Sequence, residues 1–220
     1  MKLIAGVDEA GRGPVIGPMG LSIVACEAKV ATIFSKMGVK DSKQLSLKKR
    51  TDLSRLILSS AYCATTKITP KKIDTAVTGE GTSLTTLEAK ETASLIKRLV
   101  KQLGPKDVLS KVIIDLPTHN KEKYVEDIRR HLPQQLKQIP LIAEFKADEH
   151  FIQVSAASIL AKTTRDRAIR SFEKKHDVHV GSGYPSDPNT KKSLLKHLDF
   201  LEKHSFLRTS WQTVKTLKEE

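Results

Sequence analysis

The sequence predicts an α/β fold: one mixed five-stranded sheet flanked by helices, followed by a small C-terminal helical appendage. Three observations lead there. Five short runs of apolar and β-branched residues have the length of strands and end in turn residues or acids. Between and after them, apolar residues recur at helical spacing. The first three runs read as an antiparallel meander, whereas the later ones alternate with helix-length segments that suit parallel crossovers. A sheet that satisfies both is mixed.

The opening run, residues 3–7 within Lys2-Leu3-Ile4-Ala5-Gly6-Val7-Asp8-Glu9-Ala10-Gly11-Arg12-Gly13-Pro14, is a strand that delivers two carboxylates to a turn rich in Gly and Pro. Residues 16–25, with Met19, Leu21, Ile23 and Val24, form a second buried strand. After the polar Asp41-Ser42-Lys43, Ser46 caps a helix carrying Leu53, Leu56 and Ile57, and residues 62–68 form the third strand. Residues 82–103 place Leu84, Leu87, Ala93, Leu95, Ile96 and Leu99 on a helical repeat. The run Val112-Ile113-Ile114-Asp115-Leu116-Pro117 repeats the opening pattern, and a charged helix follows over residues 121–131. The fifth strand, residues 141–147, ends at Asp148. Residues 150–175 read as one long helix whose first part, Gln153-Val154-Ser155-Ala156-Ala157-Ser158-Ile159-Leu160-Ala161-Lys162, presents a low-relief face of Ser and Ala. Gly181-Ser182-Gly183-Tyr184-Pro185-Ser186-Asp187 is a turn, and helices over residues 190–204 and 210–218 finish the chain. A boundary at Gly181 therefore separates residues 1–180 from a helical extension, residues 181–220.

At 220 residues the chain can bury a substantial core, and 39% hydrophobic with 29% charged residues describes a soluble globular protein. Lys and Arg number 38 against 25 Asp and Glu, and a surplus of that size points to a polyanionic partner, of which nucleic acid is the simplest. Cys26 and Cys63 lie in apolar or strand-like runs without metal-ligand spacing and read as reduced core residues of an intracellular protein. The short apolar run before Asp8 is neither a signal peptide nor a membrane span, so a cytoplasmic protein without a membrane partner is expected. No amphipathic interface stands out, and a monomer is expected.

The chemistry lies in the acids. Asp8 with Glu9, Asp115 and Asp148 place carboxylates at three strand ends. Clustered carboxylates repel one another and raise each other's pKa unless a cation holds them. Oxygen-only ligands select a hard ion, Mg²⁺ or Mn²⁺, and two such ions about 3.5–4 Å apart can activate a water and stabilise the leaving oxygen of a phosphodiester. Because adjacent strand residues point to opposite faces, Asp8 and Glu9 are expected to converge only if the strand ends there, with Gly11 and Gly13 supplying the freedom and Arg12 a nearby cation. On its own residues Asp148 serves equally well as a helix N-cap.

Taken in order, Gly6-Val7-Asp8-Glu9-Ala10-Gly11-Arg12-Gly13-Pro14, Asp41-Ser42-Lys43, Lys146-Ala147-Asp148, the Ser155 to Lys162 stretch and Gly183-Tyr184-Pro185-Ser186-Asp187 resemble the signatures of the ribonuclease HII family, type 2 ribonuclease H, over about residues 3–190. The resemblance implies a ribonuclease H-like catalytic domain over residues 1–180 and a substrate-binding extension over residues 181–220. It implies endonucleolytic hydrolysis of the RNA strand of RNA/DNA hybrids, including single ribonucleotides embedded in duplex DNA, by two-metal-ion chemistry leaving 5′-phosphate and 3′-hydroxyl ends. Ribonucleotide excision and RNA primer removal would be its roles. By position, Asp8, Glu9, Asp115 and Asp148 would be the catalytic metal ligands, with Mg²⁺ or Mn²⁺ bound. Gly11, Arg12 and Gly13 would sense the ribose 2′-hydroxyl, and Tyr184 would pack on the sugar at the RNA-to-DNA junction. Ser42 and Lys43 would hold a substrate phosphate, and Ser155, Ser158 and Lys162 would line the duplex. Leu116-Pro117-Thr118-His119-Asn120 departs from the familiar pattern. Trp211-Gln212-Thr213-Val214-Lys215-Thr216-Leu217 lacks the Gln-led aliphatic and paired-aromatic arrangement of a sliding-clamp peptide, so no clamp binding is expected.

Two rival readings are weaker. The acid-then-glycine turn is also found in actin-like ATPases, but those need a second nucleotide-binding half that this chain is too short to hold, and no Gly-x-x-x-x-Gly-Lys-Ser/Thr occurs. A basic nucleic-acid binder without chemistry explains the charge and leaves the strand-end acids unexplained. The histidines show no zinc spacing; His176 and His179 read as surface residues, and Trp211 as a plug docking the last helix.

Overall fold

The computed structural model describes residues 1–40 and 45–219. Its strands are β1 (Lys2–Ala10), β2 (Met19–Cys26), β3 (Tyr62–Ile68), β4 (Val108–Asp115) and β5 (Leu141–Glu144). They form one sheet in the order β3-β2-β1-β4-β5. β2 runs antiparallel to β1 and β3, while β4 runs parallel to β1 and β5, so the mixed sheet expected from the connections is the one observed.

Strand alternation assigns the two faces. Leu3, Ala5 and Val7 of β1 and Leu21, Ile23 and Ala25 of β2 face α4 (Leu84–Val100) and α5 (Lys121–Arg130), packing with Ala93, Leu95, Ile96, Leu99, Tyr124 and Ile128. On the other face, Val24 and Cys26 meet Phe34 of α1 (Ala28–Lys36), Leu53 and Ile57 of α2 (Leu47–Ser60), and Ala156, Ala157, Ile159 and Leu160 of α7 (Ile152–His176). Helix starts follow side-chain capping. Ser46 accepts from Lys49 N for α2, and Ser83 and Thr86 form a reciprocal box for α4. Thr69 caps α3 (Pro70–Thr78), with Pro70 at the first helical position. Neither α1 nor α3 was anticipated in the sequence reading.

Two predicted segments divide differently. The second strand begins at Met19 rather than residue 16, because Val15 and Ile16 donate their N–H groups to Gly183 O at 2.8 and 3.3 Å instead of to a strand neighbour. The fifth strand ends at Glu144 rather than residue 147, because the chain turns there into a one-turn α6 (Ala147–His150); Phe151, whose backbone is extended (φ −121°), separates it from the long helix α7. The C-terminal helices α8 (Pro188–Lys203) and α9 (Gln212–Glu219) share an apolar cluster with Val15, Ile16, Ile169 and Phe172. His176 is half-buried rather than a surface residue, with its ring 4.6 Å from Phe172 and 4.5 Å from His204.

α7 lies against the sheet at backbone contact. A Cβ at Gly6 would overlap the main chain of Gln153 and Val154, and one at Gly20 would overlap the carbonyl of Ala161. Gly6→Ala is therefore expected to cost about 3 kcal/mol, since backbone cannot move aside as a flexible side chain does. A urea melt whose midpoint matches that of the unaltered chain would contradict this packing.

Candidate active site

The β1–β2 ladder continues to Ala10 paired with Gly20, but the β1–β4 ladder stops at Val7 paired with Ile114. A notch opens between the carboxyl ends of β1 and β4, and the acids fill it. One carboxylate oxygen from each of Asp8, Glu9 and Asp115 lies within 4.8 Å of the others. This convergence does not require β1 to end at Asp8, as the alternation argument had supposed. Asp8 and Glu9 are adjacent residues of a strand that runs on to Ala10, both beyond the last residue paired with β4, and an oxygen of each still meets Asp115. Asp8 is folded back, its Oδ1 accepting from Glu9 N at 2.7 Å. Asp115 Oδ1 accepts from Ala147 N at 2.7 Å, which ties β4 to the start of α6. Asp148, the next residue, is buried and lies in the first turn of α6 rather than at its cap; its oxygens are not among the three that meet.

The electrostatics favour a cation. Asp8 is 5% exposed, and burial raises its pKa well above the ordinary 3.8; the Glu9 and Asp115 charges raise it further, while a hydrogen bond from Ser158 opposes them. A buried carboxylate beside two more, offering only oxygen donors, fits a hard divalent ion.

The Gly11-Arg12-Gly13 loop follows directly. Gly11 has φ +89° and packs against the side chain of Arg165, so any Cβ there would be both strained and blocked. Arg12 does not sit on the acids as its sequence neighbourhood suggested. Its Nε donates to Glu88 Oε1 at 3.0 Å and its Nη2 to Thr85 Oγ1 at 3.1 Å. Glu88 is 1% exposed, and burial pushes its pKa up to about 8 even with Arg12 opposing. Tyr184, 38% exposed, lies over Arg165 with 5.3 Å between guanidinium and ring centre, and its Cε1 is 3.7 Å from where a Cβ on Gly13 would stand. Thus the turn at residues 181–187 meets the turn at residues 11–13. Arg165 joins them, donating to the carbonyl of Ser182.

The comparisons with known proteins agree with this geometry. The family model described as ribonuclease HII matches residues 5–214. The chain is 40% identical over 222 residues to a ribonuclease HII of Methanococcus maripaludis, spanning 100% of this chain and 88% of the relative. Among solved structures it is similar to the ribonuclease H2 of Pyrococcus horikoshii, with 33% identity, a TM-score of 0.79, and 99% and 97% of the two chains covered. It is also similar to the ribonuclease HII of Archaeoglobus fulgidus, solved as a complex with PCNA, with 31% identity, a TM-score of 0.80, and 96% and 95% covered. The chain belongs to the ribonuclease HII family. Ribonucleases HII are metal-dependent endoribonucleases that act on RNA/DNA hybrids.

The other residues expected in a ribonuclease HII site are distributed as follows. Ser155 donates its hydroxyl to the main-chain oxygen of Asp148 at 2.6 Å, so it anchors α6 to α7. Lys162 is paired with Asp166 at 3.0 Å, and Asp166 also receives Arg50 at 3.2 Å and Arg165 at 3.4 Å. Ser42 and Lys43 lie outside the described residues. Asp187 caps α8 and accepts from Ser182 N at 2.6 Å and Asn189 N at 2.9 Å, which holds its carboxyl down at about 2. The sequence reading missed Arg208. It is fully buried and binds the carbonyls of Gly11, Arg12 and Gly17, and burial lowers its pKa to about 9, which still leaves it charged at neutral pH. Its only sequence signal is an arginine between an apolar pair, Phe206-Leu207, and Trp211 three residues on.

Asp8 gives a signed expectation. Between the ordinary carboxylate range and its raised folded-state value, the folded protein binds more protons at Asp8 than the unfolded chain does, so metal-free stability falls as pH rises across that window. Without divalent cation, Asp8→Asn should melt above the unaltered chain at neutral pH, and the gap should close on acidification to about pH 4. A lower melting temperature for Asp8→Asn at neutral pH would sink the idea that Asp8 is held at a cost.

Proposed function

We propose that this chain cuts the RNA strand of hybrids and, within duplex DNA, cuts 5′ of single ribonucleotides, leaving 5′-phosphate and 3′-hydroxyl ends. The observation that carries the reading is the meeting of Asp8, Glu9 and Asp115 within 4.8 Å, just before a loop whose exposed Gly13 lies against Tyr184 of the turn at residues 181–187. Asp8, Glu9 and Asp115, with Asp148 beside them, would hold a pair of Mg²⁺ or Mn²⁺ ions. When bound, such ions activate water and stabilise the charge that develops on a cleaved phosphodiester. The protein's own part is to hold the carboxylates in a buried notch, so that little reorganisation is needed when the substrate arrives. The 2′-hydroxyl is both donor and acceptor and marks ribose within DNA; Gly11, Arg12 and Gly13 supply main chain that can approach it, and Tyr184 supplies a ring for the sugar.

The basic side chains on this face suit a duplex. Lys162, Arg50 and Arg165 gather around Asp166, and residues 181–220 would extend this surface along the substrate as a binding module. Ser42 and Lys43 would contribute contacts along it, whereas Ser155 and Ser158 are buried and serve the main chain of Asp148 and the Asp8 carboxyl. Ribonucleotide excision and primer removal in the cytoplasm are the roles we assign. Among the described residues no helix is long and apolar enough to cross a membrane. The Archaeoglobus relative was solved with PCNA, but here Trp211 and Val214 pack into the C-terminal cluster, and no clamp contact is carried over. The working form is a monomer, which sedimentation can check.

Cleavage of a DNA duplex carrying one ribonucleotide tests the reading. The unaltered chain should cut it with Mg²⁺ or Mn²⁺ and not with EDTA, and an all-DNA duplex should survive. Asp8→Asn should lose about 10³-fold or more in rate, the scale on which removal of a group that stabilises transition-state charge acts. Folded protein that binds the duplex and leaves it intact under every metal condition would favour a binder without chemistry. Tyr184→Ala should reduce cutting of the single-ribonucleotide duplex by about tenfold, a base- or sugar-stacking contribution, while a long hybrid suffers less. Equal losses on both substrates would remove Tyr184 from junction sensing.

A further inference from the structure

All three carbonyls of the Gly11-Arg12-Gly13 loop turn inward, and two side chains from the far end of the chain take them up. Arg208 donates from Nη2 to Gly11 O at 2.7 Å, from Nη1 to Arg12 O at 2.8 Å and from Nε to Gly17 O at 3.1 Å. Trp211 Nε1 donates to Gly13 O at 3.2 Å, and the Arg208 guanidinium lies 5.1 Å from the indole ring centre. Arg208 is held in turn by its neighbours. Asp74 of α3 accepts from the N–H and hydroxyl groups of Thr209 and Ser210 at 2.5–3.0 Å.

A trans peptide unit points its C=O and N–H in opposite directions. Turning Gly11 O inward therefore turns the Arg12 N–H outward, and turning Arg12 O inward does the same for the Gly13 N–H. The third unit has no N–H, because Pro14 follows. Neither N–H donates a hydrogen bond to another described residue. Gly13 is exposed and lies next to the Tyr184 ring. The loop thus presents a pair of donors beside an aromatic face, with its acceptors withdrawn.

We propose that Arg208 and Trp211 are positioning residues for ribose selection: by taking up the loop's carbonyls they commit the Arg12 and Gly13 N–H groups to the 2′-oxygen of the substrate. The inference rests on the junction-sensing reading above. A deoxyribose offers these donors no acceptor, and a site built to hydrogen-bond a hydroxyl rejects the analogue that lacks it far more strongly than an apolar pocket would. Neither side chain needs to touch the substrate.

Arg208→Lys keeps the charge but cannot span three carbonyls; Trp211→Phe keeps a ring and deletes only the N–H. Both are placed in the chain as it stands and in Asp8→Asn, which binds without cutting. The readout is the ratio of affinities for a duplex with one ribonucleotide and the same duplex in all-DNA form, followed by kcat and KM for cleavage. Arg208→Lys should reduce the affinity ratio and kcat/KM by about 10–100-fold, as expected when binding groups are misplaced rather than lost. Trp211→Phe should move both in the same direction by about three- to tenfold, the scale of one neutral hydrogen bond. A purely structural role would lower the melting temperature and leave the ratio untouched, and that result overturns the proposal. If Arg208→Lys fails to fold, the ratio for Trp211→Phe decides. Failure of the nuclease reading shows elsewhere, as absence of metal-dependent cutting by the unaltered chain.

Discussion

The structure depends on how closely α7 approaches the sheet. Gly6 and Gly20 remove the side chains that would hold the helix off β1 and β2, so the helix main chain at residues 153–154 and 161 rests directly on the strands. Everything at the site inherits its position from that contact. Ser158 comes under Asp8, Ser155 reaches the main chain of Asp148, and Arg165 arrives three turns after the first contact, between Gly11 and Gly183. A larger residue at either glycine would displace the acidic notch and the turns at residues 11–13 and 181–187 together, because one rigid helix carries both.

Charge burial divides the site into two kinds of place. Arg208 is fully buried and matched by three carbonyls, and Glu88 is buried and matched by Arg12 and thereby holds that side chain in one direction. Both are buried ionisable groups whose partners come from the protein. Asp8 is buried beside Glu9 and Asp115, so its neighbours raise its free energy instead of lowering it. The protein stores that cost where an external cation can relieve it. Stability of the metal-free fold is then linked to pH through one carboxylate and falls as pH rises.

Much of this was legible in the sequence because it depends on short periodic runs. Leu3 to Val7, Tyr62 to Ile68 and Val112 to Asp115 announce strands through β-branched and apolar residues, and Ser46 and Ser83 announce helices through their hydroxyls. The acids were legible for a different reason, since a carboxylate closing an apolar run has few structural uses. What could not be read is what depends on the partner strand. Whether Asp8 and Glu9 meet is set by where β4 stops pairing with β1, and this is a property of the ladder rather than of either segment. The end of β5 at Glu144 is likewise invisible in a run whose apolar residues continue through Phe145 to Ala147. Arg12 was placed by its sequence neighbours near the acids, whereas its partner Glu88 is 76 residues away.

Arg208 marks the limit of local reading most clearly. It lies 197 residues from Gly11, in a segment that composition describes only as a basic helical end. In the fold, Val15 and Ile16 pack in one cluster with Leu207 and Val214, and Ile16 pairs with Leu207 as an isolated bridge, so the end of the chain is built into the loop that follows its first strand. The cluster supplies the apolar adhesion and Arg208 supplies the direction: burial without the guanidinium would leave the carbonyls of Gly11 and Arg12 unsatisfied, at a cost of about 1–3 kcal/mol each. The loop has to turn its carbonyls toward whatever donor is buried behind it, and its N–H groups are then left for whatever lies in front. A last segment that packs loosely would hold the same residues near one another without deciding which edge of the peptide faces the substrate.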